Sequence, residues 1–194
     1  MSTPPAHIET FTPASSAHWR EWLQQHHQSK QAVWLICYKK NAGIPTVTWS
    51  DAVDEALCFG WIDAIRKTVD HQSFMQRYTR RKPNSGWSKI NKEKIEKLTA
   101  QGLMTAAGLE VVHIAKQNGS WLLLDEAETM EIPQDLGALF AAHPGAADWF
   151  LGLNKSVRKR ILHWVTTAKR PETRHNRATE VARMAAIGQI PKQF

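Results

Sequence analysis

Ile62-Asp63-Ala64-Ile65-Arg66-Lys67-Thr68-Val69, then Asp70-His71, then Gln72-Ser73-Phe74-Met75-Gln76-Arg77-Tyr78-Thr79 reads as two strands joined by a short hairpin connection. In the second strand Phe74, Gln76 and Tyr78 alternate with Ser73, Met75 and Arg77, so one face is more apolar than the other. Upstream, Ala32-Val33-Trp34-Leu35-Ile36-Cys37-Tyr38 is a continuous apolar run of strand length, which predicts a strand covered on both faces. A helix is expected on each side of it. The first begins at Ser15 or Ser16 and carries Trp19, Trp22 and Leu23 on one stripe. The second is capped by Ser50, has Asp51, Asp54 and Glu55 in its first turns, and stops at Gly60. From Ser88 onward the pattern is helical. Thr105 caps one helix, and Val157, Ile161, Trp164, Val165 and Ala168 form the clearest apolar stripe. Pro171 opens a last helix that Gly188 ends, and the acidic stretch 125–135 reads as a loop. The fold class that follows is α+β: a small antiparallel sheet with flanking helices, then an all-helical C-terminal part.

Three regions are expected: a mobile lead over 1–13, rich in proline, an α+β region over 14–118, and a helical region over 119–194 packed on it. The 194 residues are 42% hydrophobic and 22% charged, enough for a core and unlike a disordered chain. No apolar run is long enough to span a bilayer, and residues 1–13 lack the basic and apolar regions of a secretory signal, so a cytoplasmic location is expected. Cys37 and Cys58 are too few for a disulfide scaffold or a thiolate zinc site. The net charge of +7 is segregated: −1 over 1–70, +6 over 71–118, −6 over 119–150 and +8 over 151–194. Two basic blocks around an acidic one suggest either an anionic partner or neutralisation between segments. The nine tryptophans are read mostly as core, with an exposed minority able to stack on a ligand or base.

The common catalytic patterns are missing. Cys58 sits at the C-terminal end of its helix among bulky apolar residues, the wrong place for a reactive thiolate. Ser88 has no G-x-S-x-G elbow around it, the nine histidines show no metal-ligand spacing, and no phosphate-cradling glycine loop occurs. No cofactor is expected. Two constellations remain. The first combines Trp61 and Asp63 with Arg80 and Arg81, and adds Trp87, Ser88 and Asn91. A hairpin brings Asp63 near Arg80 and Arg81, giving either a structural ion pair or an anion pocket completed by the amides at Ser88. The second is the basic tail, with Lys169, Arg170, Thr173 and Arg174 at a turn between two basic helices. Its arginines either contact phosphate, as in a helix-turn-helix, or dock on the acidic 125–135 stretch.

These stretches also resemble the YdeI/OmpD-associated family of bacteriocin-protection proteins. The likeness is carried by Trp34-Leu35 with Lys39-Lys40, Glu55 through Asp63, Thr79-Arg80-Arg81, Trp87-Ser88-Lys89-Ile90-Asn91, Gly102-Leu103-Met104, Ala115-Lys116 and the tail Ala168 through Arg174, roughly residues 18–190. Ala64 follows Asp63 where a glycine or small residue is expected, a mild change, and proline is absent between Thr79 and Arg80. The resemblance implies a cytoplasmic bacterial protein in stress or antimicrobial-peptide tolerance, without catalytic residues or cofactor. The expected function is non-catalytic binding of a small or polymeric anion through the two arginine-bearing turns. Two alternatives stay open: nucleic-acid binding through the basic helices with a tryptophan such as Trp87, and an enzyme using Asp63 with Ser88 or Tyr78 as acid–base partners. Ligand identity and oligomeric state are not legible.

Overall fold

A computed structural model describes residues 8–194. The expected lead over 1–13 falls partly outside these residues. Its end is ordered into the sheet, where β1 (Thr10–Phe11) pairs parallel with β2 (Ala32–Tyr38) through Thr10↔Trp34 and Phe11↔Leu35. The hairpin forms as read, with β3 (Trp61–Thr68) antiparallel to β4 (Ser73–Arg80). β4 is also antiparallel to β2, so the sheet order is β1-β2-β4-β3. The sheet is therefore antiparallel apart from its two-residue edge. A register shift between Asp63 and Arg66 bulges β3. At the turn, the Asp70 carboxylate accepts the backbone N–H groups of Gln72 and Ser73, each at 2.7 Å, which holds its pKa below the usual carboxylate range.

The chain folds into two compact units. The first takes the chain through Ser85 together with Ile90–Asn118, and the second Gly86–Lys89 with Gly119–Phe194. The first unit holds the sheet, α1 (Ser16–His26), α2 (Trp49–Cys58), α3 (Lys89–Ala100) apart from its first residue, and α4 (Ala106–Gln117). Ser15 caps α1 by accepting from His18 N–H at 3.2 Å. Thr48, not Ser50, caps α2, accepting from Asp51 N–H at 3.2 Å while its hydroxyl donates to the Asp51 carboxylate at 2.7 Å. The aromatic stripe of α1 is fully used: Trp19 stacks on Trp22 at 5.1 Å, meets Tyr78 at 5.4 Å, and donates its indole N–H to Ala52 O at 3.0 Å. That last bond satisfies a buried donor and pins α1 to α2.

β2 departs from expectation. Val33, Leu35 and Cys37 are buried, whereas Ala32, Trp34, Ile36 and Tyr38 are half-buried. The second face is covered by a long basic side chain instead of a helix, with Lys67 Nζ 5.2 Å from the Trp34 ring, while on the face shared with Cys37 the Arg66 guanidinium lies 3.7 Å from the Phe74 ring. Such cations shield an aromatic face while staying hydrated themselves.

The second unit is helical. It comprises α5 (Asp125–Glu128), α6 (Gln134–Ala141), α7 (Ala146–Gly152), α8 (Lys155–Thr166) and α9 (Pro171–Ala186). Leu136, Phe140, Phe150, Ile161, Leu162, Val165 and Val181 form its core. Asn154 caps α8, accepting from Val157 N–H at 2.9 Å, and Pro171 occupies the first turn of α9. The one-turn α5 lies inside the stretch read as loop, and α7 follows the Pro144-Gly145 break unpredicted. Both are short, and their apolar positions become a face only against α8 and α9. Among the described residues no helix is long and apolar enough to cross a membrane.

Candidate functional site

The hairpin register sets Trp61 opposite Arg80 and Asp63 opposite Tyr78. The expected Asp63–Arg80 fork does not form. The Arg80 guanidinium instead donates to the backbone carbonyls of Gln28 and, through Nε at 2.8 Å, of Lys30. These carbonyls follow the end of α1, where the helix dipole favours a cation. Asp63 accepts the indole N–H of Trp49 at 3.1 Å. Trp49 is 47% exposed, whereas Trp19, Trp22, Trp61 and Trp87 are buried.

Arg81 is the unusual member. It follows the last residue of β4 and is only 8% exposed. Burial pulls its guanidinium pKa down to about 10, against the opposing attraction of Asp63. Its backbone N–H donates to Gly60 O at 3.0 Å. Gly60, at φ +73°, turns the chain from α2 into β3, and a Cβ there would come 2.7 Å from Val111 Cγ2. Around this turn lies a cavity of about 210 Å³, with Arg80, Arg81, Trp61, His27 and Gln28 on its wall and α4 opposite. The Trp61 indole N–H is held by His27 O at 3.3 Å, and His27 Nδ1 is 2.9 Å from Leu23 O. His27 and Gln28 were not legible as site residues. They reach it from the far end of α1, and no local pattern encodes that approach.

The other predicted residues distribute differently. Trp61, Asp63, Arg80 and Arg81 come together in the first unit, which also holds Asn91 in the first turn of α3. Trp87 and Ser88 belong to the second unit. Trp87 is 1% exposed and packs on Trp121 at 5.0 Å, which removes it as a stacking platform for a base. Ser88 lines a different cavity, with α5 and α8. Lys169 and Arg170 are exposed just before α9, and Thr173 is half-buried in its first turn. Arg174 joins the acidic stretch, contacting Glu126 at 3.0 Å and Asp135 at 2.7 Å. Lys159 likewise meets Glu128 at 2.5 Å. Neutralisation between the acidic and basic blocks thus occurs within the second unit.

Acid–base chemistry is poorly served by the residues suggested for it. Tyr78 is fully buried, and desolvation with the Asp63 charge pushes its phenol well above the ordinary value. Cys58 is also fully buried and its thiol is pushed up by burial. Among the described residues no group of three His, Cys, Asp or Glu gathers as a metal site.

Comparison with known proteins gives two family matches. No curated protein and no solved structure gave a significant match. Residues 129–188 match the model of the family described as Bacteriocin-protection, YdeI or OmpD-Associated, in agreement with the resemblance read from the tail. The motifs Gly60-Trp61-Ile62-Asp63 and Trp87-Ser88-Lys89-Ile90-Asn91 fall instead within residues 11–111, matched by a second model. That model covers more than half of the chain, which therefore belongs to the family described as Domain of unknown function (DUF8412).

Proposed function

We propose that the protein is a non-catalytic binding protein that takes a small oxyanion in the cavity beside Arg81, acting in the cytoplasm in a bacteriocin-protection role. One observation carries the reading: Arg81, a residue only 8% exposed, forms part of the wall of a cavity of about 210 Å³. A charge held away from water is stabilised by a counter-ion in the adjoining space, because Coulomb attraction is stronger there than in bulk solvent. The depressed Arg81 pKa supports this, since an arriving anion would favour the charged guanidinium that burial disfavours. The planar fork suits phosphate, sulfate or carboxylate oxygens. The role is supported by the family match over residues 129–188. Nucleic-acid binding loses support because Trp87 is buried and Arg174 is paired with acidic residues.

Calorimetric titration of the full chain with inorganic phosphate, and separately with sulfate, tests the reading. Saturable binding is expected, weakened about tenfold or more in Arg81→Gln and partly restored in Arg81→Lys, as for a charge-assisted hydrogen bond. Absence of saturable binding for both ions, or equal affinity in wild type and a folded Arg81→Gln variant, would overturn it.

A further inference from the structure

The second unit contains a larger cavity, of about 280 Å³, that the oxyanion reading does not use. Its construction begins with a glycine. A Cβ on Gly86 would lie 2.7 Å from Leu124 Cγ and 2.8 Å from Leu124 Cδ2, so only glycine lets Leu124 settle against this backbone. Leu124 and the buried Ala127 give the cavity apolar lining. The opposite wall is α8. Ser156, Lys159, Arg160 and His163 recur at i, i+3, i+4 and i+7, which places all four on one side of the helix. Ile161, Leu162 and Val165 of the same helix are buried in the core.

The polar groups are not equivalent. Lys159 is matched by Glu128 Oε2 at 2.5 Å, while Glu128 Oε1 accepts the Lys89 N–H at 3.3 Å. Desolvation and the Lys159 charge hold His163 below the ordinary imidazole range, with Glu128 opposing, so it is neutral at pH 7. Arg160 is exposed, with its guanidinium 5.9 Å from the Phe194 ring, and no carboxylate among the described residues pairs with it. The cavity therefore combines a mostly apolar lining, an internally neutralised ion pair and one further positive charge. A doubly charged oxyanion suits it badly, because the apolar lining strips hydration and Glu128 repels the second charge. One negative charge on an apolar body suits it well. The volume lies just below the ~300 Å³ at which drug-sized pockets begin, which sets the ligand at metabolite size.

We infer that this cavity binds a small amphipathic monocarboxylate, a medium-chain or aromatic acid, with its carboxylate on Arg160 and the Ser156 hydroxyl and its apolar body against Leu124 and Ala127.

The test is calorimetric titration of the full chain with octanoate, with octanol and inorganic phosphate as comparisons. Octanoate is expected to bind at one site. Octanol, with the same tail and no charge, and the Arg160→Gln variant with octanoate are each expected to show affinity about tenfold lower, the loss of one charge-assisted contact. Ser156→Trp, at an exposed position, should fill the cavity and abolish binding while the far-ultraviolet circular dichroism is unchanged. Arg81→Gln should leave octanoate affinity intact, which separates this cavity from the oxyanion site. The inference is overturned by any of three results: no one-site octanoate binding to the folded chain, unchanged affinity in Arg160→Gln, or displacement of octanoate by equimolar phosphate.

Discussion

Two glycines in helices show how far a single residue's environment sets its value. Gly108 lies in the first turn of α4, and a Cβ on it would sit 2.2 Å from Cys58 O and 2.7 Å from that carbonyl's carbon. The same carbonyl accepts the Thr105 N–H at 3.1 Å and the Thr105 hydroxyl at 2.6 Å. The start of α4 thus docks onto the last orphan carbonyls of α2, and only a missing side chain permits the approach. Gly108→Ala is expected to destabilise the chain by about 3 kcal/mol, since backbone must move to admit the methyl. Gly137 in α6 is the contrast, its Cβ meeting only Ile132 Cγ2 at an ordinary 3.8 Å. There the alanine should raise stability by about 0.5–1 kcal/mol, through helix propensity and a less flexible unfolded chain. Urea denaturation of the two variants beside wild type checks both signs, and a Gly108→Ala midpoint equal to wild type would refute the docking argument. Neither outcome could be read from the sequence, because Gly108 and Gly137 are both glycines in amphipathic helices.

At the scale of elements, α9 is tied to the acidic segment by Arg174, which bridges Glu126 and Asp135. Asp135 is held below the usual carboxylate range by the Arg174 hydrogen bond first, then by its charge. A carboxylate whose pKa is lower folded than unfolded stabilises the fold fully above the unfolded value of about 3.9, and the contribution fades as pH falls through the folded value. All three side chains are partly solvated, so the contribution is modest, on the order of 1 kcal/mol for the triad. Arg174→Met is therefore expected to cost about that much at pH 7 and progressively less below about pH 4. Thermal melts of wild type and variant across pH 2–7 measure the difference, and a gap that widens in acid would contradict the assignment. The charge blocks show that α9 and the 125–135 stretch are complementary, and docking was one of two readings of them. The one-turn α5, the element carrying Glu126 and Glu128, was not visible, because four residues give no periodicity.

At the scale of the whole molecule, the division into units does not follow chain order. Gly86–Lys89 belongs to the second unit while the residues on either side of it belong to the first. Trp87 against Trp121, Gly86 under Leu124, and the Lys89 N–H on Glu128 are the contacts that anchor it. Trp87→Ala should cost about 3–5 kcal/mol, as for other large core truncations. Its effect should fall first on the second unit: hydrogen exchange is expected to accelerate in α5 and α8 while amides of β2 and β4 stay protected. Equal acceleration in both would refute the assignment. Local interactions made much of the architecture readable in advance. The hairpin pattern of 62–79, the cap at Ser15, the break at Gly60 and the stripe of α8 are short-range features in which each residue's neighbours in sequence are also its physical environment. Sequence by itself therefore determined the α+β class, the hairpin and the helical tail. Tertiary structure alone decided that Arg80 is held by the carbonyls just past α1, that Arg81 lines a cavity with His27, and that Trp87 is core. Each of these depends on contacts between residues far apart in the chain, from 34 positions (Trp87 to Trp121) to 54 (Arg81 to His27), and a side chain's solvation and partners at that range follow from packing, which leaves no periodic trace in the sequence.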